Sequence, residues 1–182
     1  MDRELVSRAQ RGDREAFARL AAAVTPSFLS IAYRILRDAD LAEDATQLSL
    51  LTIWERLGQL RDPERFEAWA YRTLVRACYR EGRKAGRRAQ PISLHPIAEQ
   101  RVPDEAGAVL DRDALERAFR RLSMDHRAVV VLRHYRHMSL DEISAALDIP
   151  VGTANSRLHY ALRQMRAALE ADARPGVGRA VG

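Results

Sequence analysis

Three sets of side chains in this sequence have the type and spacing to do recognition chemistry. Thr153, Asn155, Ser156, Arg157, His159, Tyr160 and Arg163 fall at the outward positions of a helical stretch near the C-terminus. Their hydroxyl, amide, imidazole and guanidinium groups can hydrogen-bond base edges and phosphates in a DNA groove. Arg65, Arg72, Arg76, Arg80 and Arg83 run along one side of a second stretch, with Tyr71 and Tyr79 among them. Cations beside rings suit a nucleic-acid strand whose bases are unstacked: phosphates meet the charge and bases meet the rings. On a third stretch Glu43, Asp44 and Gln47 form a polar edge beside Leu48, Leu50 and Leu51. That is more apolar surface than one buried face needs, which suits a partner-binding helix. A core helix crossed by several neighbours gives the same pattern.

Catalytic and metal-binding sets are not assembled. His134 and His137 stand three apart, a spacing that metal sites use, but no carboxylate or cysteine nearby completes the three or four ligands required. Cys78 is the single cysteine and sits among apolar helical positions, where a small buried thiol is expected. There is no phosphate-binding glycine loop, nucleophile elbow or paired acidic motif. The expectation is a protein that is not an enzyme, with no cofactor and no metal.

The elements that must position these groups are helical nearly throughout, so the fold class expected is all-α. Asp2 caps a short helix ending near Gly12, and Asp13 starts a second. Thr25-Pro26 reads as the start of a third, a capping hydroxyl followed by proline at the first helical position. Asp40 with Glu43 reads as a capping box for a fourth. Asp62-Pro63 starts a fifth, with Phe66, Trp69, Ala70, Thr73, Leu74 and Ala77 on its apolar face. Further on, Leu115, Ala118, Phe119 and Leu122 mark a helix, and Ser123 caps the next, which carries Ala128, Val131, Leu132 and Tyr135. Ser139 and Glu142 form a capping box before Ile143, Ala146 and Leu147, and after Asp148-Ile149-Pro150 a last helix runs from about Gly152 to Glu170. Ala154, Leu158, Ala161, Leu162, Met165 and Leu169 are expected to face inward on it. A short capped helix, a tight turn and a longer helix make a helix-turn-helix over 139–163. Residues 82–112 hold three glycines and three prolines and no sustained period. We therefore expect two helical domains, 1–82 and 113–170, joined by a flexible linker over 83–112 and followed by a disordered tail, 171–182.

Hydrophobic residues make up 47% and charged residues 30% of the 182, an ordinary core-forming composition. No apolar run suggests a membrane span and the charged start has no signal-peptide pattern, so no membrane insertion and a cytoplasmic location are expected. The net charge of +5 is not spread evenly. Residues 1–82 balance, while Arg83, Lys84, Arg87 and Arg88 form a basic cluster and 116–169 carries a second excess. Two separate basic regions fit two contacts with nucleic acid.

With these residues in view, the sequence resembles a known family. Asp40-Leu-Ala-Glu43-Asp44-Ala-Thr-Gln47, Trp54, and Phe66-Glu-Ala-Trp69-Ala-Tyr71-Arg72 are similar to the core-binding and promoter-melting region of extracytoplasmic-function sigma factors. Leu122-Ser123 through Arg136, Ser139-Leu-Asp-Glu142-Ile143, and Ile149-Pro-Val-Gly-Thr153-Ala-Asn-Ser156-Arg157-Leu158 resemble their promoter-distal recognition domain. The likeness covers about residues 2–81 and 113–169. It implies an RNA polymerase sigma factor that directs promoter recognition, melting and initiation. Asp40, Glu43, Asp44, Gln47, Leu48, Leu51 and Trp54 would bind the polymerase beta-prime coiled coil. Leu60, Arg61, Asp62, Arg65, Trp69, Arg72, Arg76, Arg80 and Arg83 would hold melted minus-ten DNA. Thr153, Asn155, Ser156, Arg157, His159, Tyr160 and Arg163 would read the minus-thirty-five element. The implied partners are core polymerase through the beta-prime coiled coil and beta flap, promoter DNA, and an anti-sigma factor. The family often has an acidic residue where Leu48 stands, Asn where Arg76 stands, and Lys or Arg where Asn155 stands.

Two rivals bear on the same residues. A stand-alone helix-turn-helix regulator with a helical sensor domain explains 113–169 equally well, but not the 40–54 segment or a second row of arginines. An enzyme would need catalytic groups that the sequence does not bring together.

Overall fold

The computed structural model describes residues 2–88 and 106–173, and every regular element among them is helical. Four helices form the N-terminal unit: α1 (Arg3–Gln10), α2 (Arg14–Leu36), α3 (Ala39–Arg56) and α4 (Phe66–Arg88). The C-terminal unit has α5 (Ala106–Arg120), α6 (Met124–Val130), α7 (Leu140–Leu147) and α8 (Val151–Ala173). Caps set most of the starts: Asp2, Asp13, Ser123 and Ser139 each accept from a backbone N–H of the first turn. The full capping box at Ser139 and Glu142 is present.

Several boundaries differ from the sequence reading. Thr25-Pro26 does not start a helix; α2 runs straight through it. The Thr25 hydroxyl donates back to the Ala21 carbonyl at 2.7 Å instead of capping forward. Leu20, Val24, Phe28, Ile31 and Ile35 make one buried stripe across the proline, and that burial outweighs the lost backbone bond. The cap of α3 is Asp38, which accepts from Leu41 N at 2.9 Å; Asp40 lies inside the first turn. A 3-10 turn (Pro63–Arg65) precedes α4, which continues to Arg88, past the expected start of the linker. α5 begins at Ala106, before its expected end, and α8 reaches Ala173. The rest of the expected linker and tail lies outside the described residues. After α6 the chain widens into a π-helical turn, Val131–Tyr135.

The two units pack on each other. α4 lies against α7, and α2 against α6 and the π turn. Their buried residues form one continuous cluster, from Phe28, Ile31 and Leu74 to Val129, Leu132 and Ile143. At Gly82 a Cβ would stand 2.8 Å from Met124 Sδ, so a bare Cα is what lets α4 and α6 approach. Arg127 of α6 donates to Ile35 O at 2.7 Å and Leu122 O at 3.0 Å, satisfying a carbonyl in the last turn of α2 from the other unit. Arg37, which ends α2 in the left-handed region (φ 62°), pairs with Glu116 of α5.

α2 is long and apolar enough, by length and composition alone, to cross a membrane, which the sequence reading did not find. Here it is the central core helix, contacting α1, α3 and α4.

Candidate docking and nucleic-acid interfaces

On the inner face of α3, Ala42, Ala45, Thr46, Ser49 and Ile53 are buried, and the four small ones draw α3 close to α2 and α4. That leaves the leucines expected to meet a partner on the outer side: Leu51 is 60% exposed and Leu48 is half-buried. Trp54, 38% exposed, tilts against Phe17 of α2 with ring centroids 4.8 Å apart. Arg14, Phe17, Gln47, Leu50, Leu51 and Trp54 line a shallow hollow of about 610 Å³. Asp40, Glu43 and Asp44 lie on the turns of α3 before it, exposed and in no ion pair among the described residues. An exposed apolar floor with free carboxylates on the turns before it fits a partner helix bearing apolar and basic side chains. The sequence reading did not include Arg14 and Phe17, because nothing in the chain's local pattern shows that α2 crosses α3 there.

The nine residues expected at melted DNA divide into two groups. Leu60, Arg61, Asp62, Arg65, Trp69 and Arg72 lie on the α3–α4 connection and the first half of α4. The connection is pinned from α1, where Gln10 Nε2 donates to Leu60 O at 2.6 Å and Leu57 O at 3.2 Å. Arg61 and Arg65 are exposed, and Trp69 is half-buried beside Phe66. Arg76, Arg80 and Arg83 instead line a cleft of about 740 Å³ whose far wall is the helix-turn-helix turn. There Arg76 meets Asp148 at 3.4 Å, Arg80 and Lys84 converge on the buried Glu81 at 3.9 and 2.7 Å, and Arg83 lies over the Tyr79 ring. Tyr71 offers no ring to solvent: it is 7% exposed, between Phe28 and the Arg136 guanidinium. Burial pushes the Tyr79 hydroxyl above its ordinary range, so it stays protonated.

α8 buries Ala154 and Ala161 completely, which seats it on α6 and α7. Asn155, Ser156, His159, Tyr160 and Arg163 are exposed along its outer side, and Thr153 is half-buried in its first turn. Arg157 is turned away from them toward α6, where it pairs with Asp125 at 2.8 Å beside the interdomain cleft. Leu162, expected inward, is 42% exposed, as are Leu115 at 47% and Tyr135 at 44%. These three share a groove of about 450 Å³ with Phe119, Val130 and Met165. The sequence signal for it was available: Leu162 adjoins Ala161 and falls off the buried stripe. His134 and His137 are both exposed.

Comparison with known proteins adds two family matches in order along the chain. Residues 20–88 match the model described as Sigma-70 region 2, and residues 118–167 that described as Sigma-70, region 4. The chain is 37% identical over 145 residues to the ECF RNA polymerase sigma factor SigL of Mycobacterium tuberculosis, spanning 76% of this chain and 80% of that one. Its fold is similar to CnrH, solved in complex with the cytosolic domain of CnrY (TM-score 0.68, 24% identity, 94% of this chain and 99% of that one). It is also similar to RpoE of Bartonella quintana, solved with the anti-sigma factor NepR (TM-score 0.66, 22% identity, 86% and 98%).

Proposed function

The chain belongs to the extracytoplasmic-function sigma factors of the sigma-70 family, and from that premise we propose that it binds core RNA polymerase and directs transcription initiation at promoters. The observation that carries the reading is the pairing, in one chain, of an exposed apolar α3 hollow with a polar recognition helix. A stand-alone regulator has use for the second and none for the first.

The parts divide as follows. The α3 hollow, with Asp40, Glu43, Asp44, Gln47, Leu48, Leu51 and Trp54, seats the beta-prime coiled coil. Leu60, Arg61, Asp62, Arg65, Trp69 and Arg72 take the melted minus-ten strand, with phosphates on the guanidiniums and a base near Trp69. Arg76, Arg80 and Arg83 join them once the helix-turn-helix moves off α4. Thr153, Asn155, Ser156, His159, Tyr160 and Arg163 face the minus-thirty-five duplex, and Arg157 adds its charge when it leaves Asp125. The groove at Leu115, Phe119 and Leu162 fits an apolar helix such as the beta flap presents. The domains acting this way are 1–82 and 113–170, joined across 83–112.

We assign no catalytic step to the chain; nucleotide addition belongs to the polymerase. It works where polymerase and promoter DNA are, in the cytoplasm, and an anti-sigma factor is its expected antagonist. Run-off transcription with core polymerase, with and without this chain, is the test. Promoter-specific transcripts only in its presence support the reading. Tight duplex binding by the chain alone, with no such transcripts, favours the stand-alone regulator.

A further inference from the structure

Where α2, α4 and the π turn meet, hydrogen-bond donors collect, and two of them, the Nε atoms of Arg34 and Arg136, have no acceptor. Ser27, Ser30 and Arg34 share one face of α2. The Ser27 and Tyr71 hydroxyls are 3.0 Å apart, as are those of Ser30 and Tyr135. The Arg34 guanidinium lies 4.6 Å from the Tyr135 ring centre and the Arg136 guanidinium 4.2 Å from that of Tyr71. Neither arginine is in an ion pair among the described residues, and the Nε of each is buried with no acceptor. A ring face accommodates the charge of a guanidinium but gives its in-plane N–H no lone pair. Buried donors left this way are rare in folded chains and point to an acceptor that completes the site.

The local field agrees. The Tyr135 hydroxyl is held below its ordinary range by its bond to Ser30, with Arg34 and Arg136 adding positive potential. Of the carboxylates in the adjoining groove, Glu116 is already held by Arg37 and Arg120, and Asp113 is exposed beside Arg112.

We propose that this junction binds a small oxyanion of the phosphate class, held by Arg34 and Arg136 and by the hydroxyls of Ser27, Ser30, Tyr71 and Tyr135. Each hydroxyl pair keeps one proton for its own bond, so two guanidiniums and two hydroxyl protons remain, more donors than the two oxygens of a carboxylate can accept, and a phosphate has oxygens for them. Arg34 belongs to the N-terminal unit and Arg136 to the C-terminal one. Both charges act on Tyr135, so an anion there screens them and ties the units together.

The probe is inorganic phosphate, titrated calorimetrically into the full chain, with acetate and chloride as parallel arms at one ionic strength. Phosphate is expected to bind with a Kd below about 1 mM, acetate at least about tenfold more weakly, and chloride without saturable heat. Arg34→Gln and Arg136→Gln should each weaken phosphate by about tenfold or more, while Arg19→Gln, exposed elsewhere on α2, should not. The parent titration needs no variant to fold. Equal responses to phosphate and chloride, acetate binding as tightly as phosphate, or full affinity in both variants would each overturn the proposal.

Discussion

Leu51 separates folding from partner binding more cleanly than any other side chain of the α3 hollow. It is 60% exposed, so most of its apolar surface gives nothing to the folded chain. Fully burying a leucine side chain is worth about 1.5–3 kcal/mol, and only the exposed share remains for a partner to cover, about 1–2 kcal/mol. Leu51→Ala should therefore weaken the complex with core polymerase about fivefold to thirtyfold. The same change should cost the isolated chain less than about 0.5 kcal/mol, as exposed positions do. Fluorescence anisotropy with labelled chain and core polymerase measures the first quantity, and urea unfolding measures the second. An unchanged affinity would refute the assignment of this hollow to the polymerase. A stability loss comparable with the affinity loss would refute the separation itself, because the leucine would then be part of the core.

Other parts of the structure carry tests of their own. Arg127→Met removes charge-assisted bonds to two carbonyls, each worth about 1.5–3 kcal/mol, offset by the relief of a buried charge beside Arg37. A net loss of about 2 kcal/mol, or a Tm lower by about 4–8 °C, is expected in thermal unfolding; a loss under about 0.5 kcal/mol would show that the units do not rest on it. Burial pushes the Cys78 thiol up to about 12. Its neutral form is present in both states below the ordinary thiol range, near pH 8.5, and the contribution it makes is lost as pH rises from there toward 12. Thiol titration with a chromogenic disulfide should find Cys78 inert in the native chain at pH 8 and reactive in urea, and fast native reaction would contradict its burial. Asn155 is exposed in the first turns of α8 and uncharged, so its use to DNA is a bidentate bond to adenine, worth about 1–3 kcal/mol. A base-substitution scan of the upstream promoter element with Asn155→Ala should flatten preference at one position; a uniform loss at all positions counts against base reading.

Much of the architecture was legible in the sequence because it is written locally. The caps at Asp2, Asp13, Ser123 and Ser139 are short-range bonds between a side chain and its own first turn, and each reads directly from residue type and spacing. The errors come where a distant packing partner decides. Thr25-Pro26 has the chemistry of a helix start, but the apolar stripe on either side of it is buried by α3 and α4, and one long helix covers that stripe best. Which face of α3 is inward depends on how closely α2 and α4 approach, so its sequence pattern alone fits a core helix and a partner-binding one, and the packing leaves Leu51 outside. The three candidate sets could be picked out by residue type and spacing. Their division could not: Arg76, Arg80 and Arg83 follow Arg72 along one helix, yet a unit far away in sequence forms the opposite wall of the cleft they line.

The contact between the units is held unevenly. The one pair that ties these three arginines to the helix-turn-helix among the described residues is exposed: Arg76 and Asp148 keep 58% and 83% of their side-chain surface, and ion pairs of that kind contribute at most about 1 kcal/mol. Arg157 and Asp125 are closer at 2.8 Å and less exposed, at 27% and 41%, but still open to solvent screening. The bonds from Arg127 to the end of α2 are partly buried, and with the continuous apolar cluster they carry more of the closure. Arg76 thus leaves Asp148 at little expense, whereas separating α6 from α2 exposes an apolar contact and a helix-end carbonyl. Two steps of different energy follow: a small shift of the helix-turn-helix from α4 frees Arg76 and opens the cleft beside Arg80 and Arg83, and a larger separation at α2 would let the units span two promoter elements. A partner that covers the groove at Leu115 and Leu162 shields apolar surface beside that junction and so offsets part of the second step, which is where polymerase binding would couple to DNA recognition.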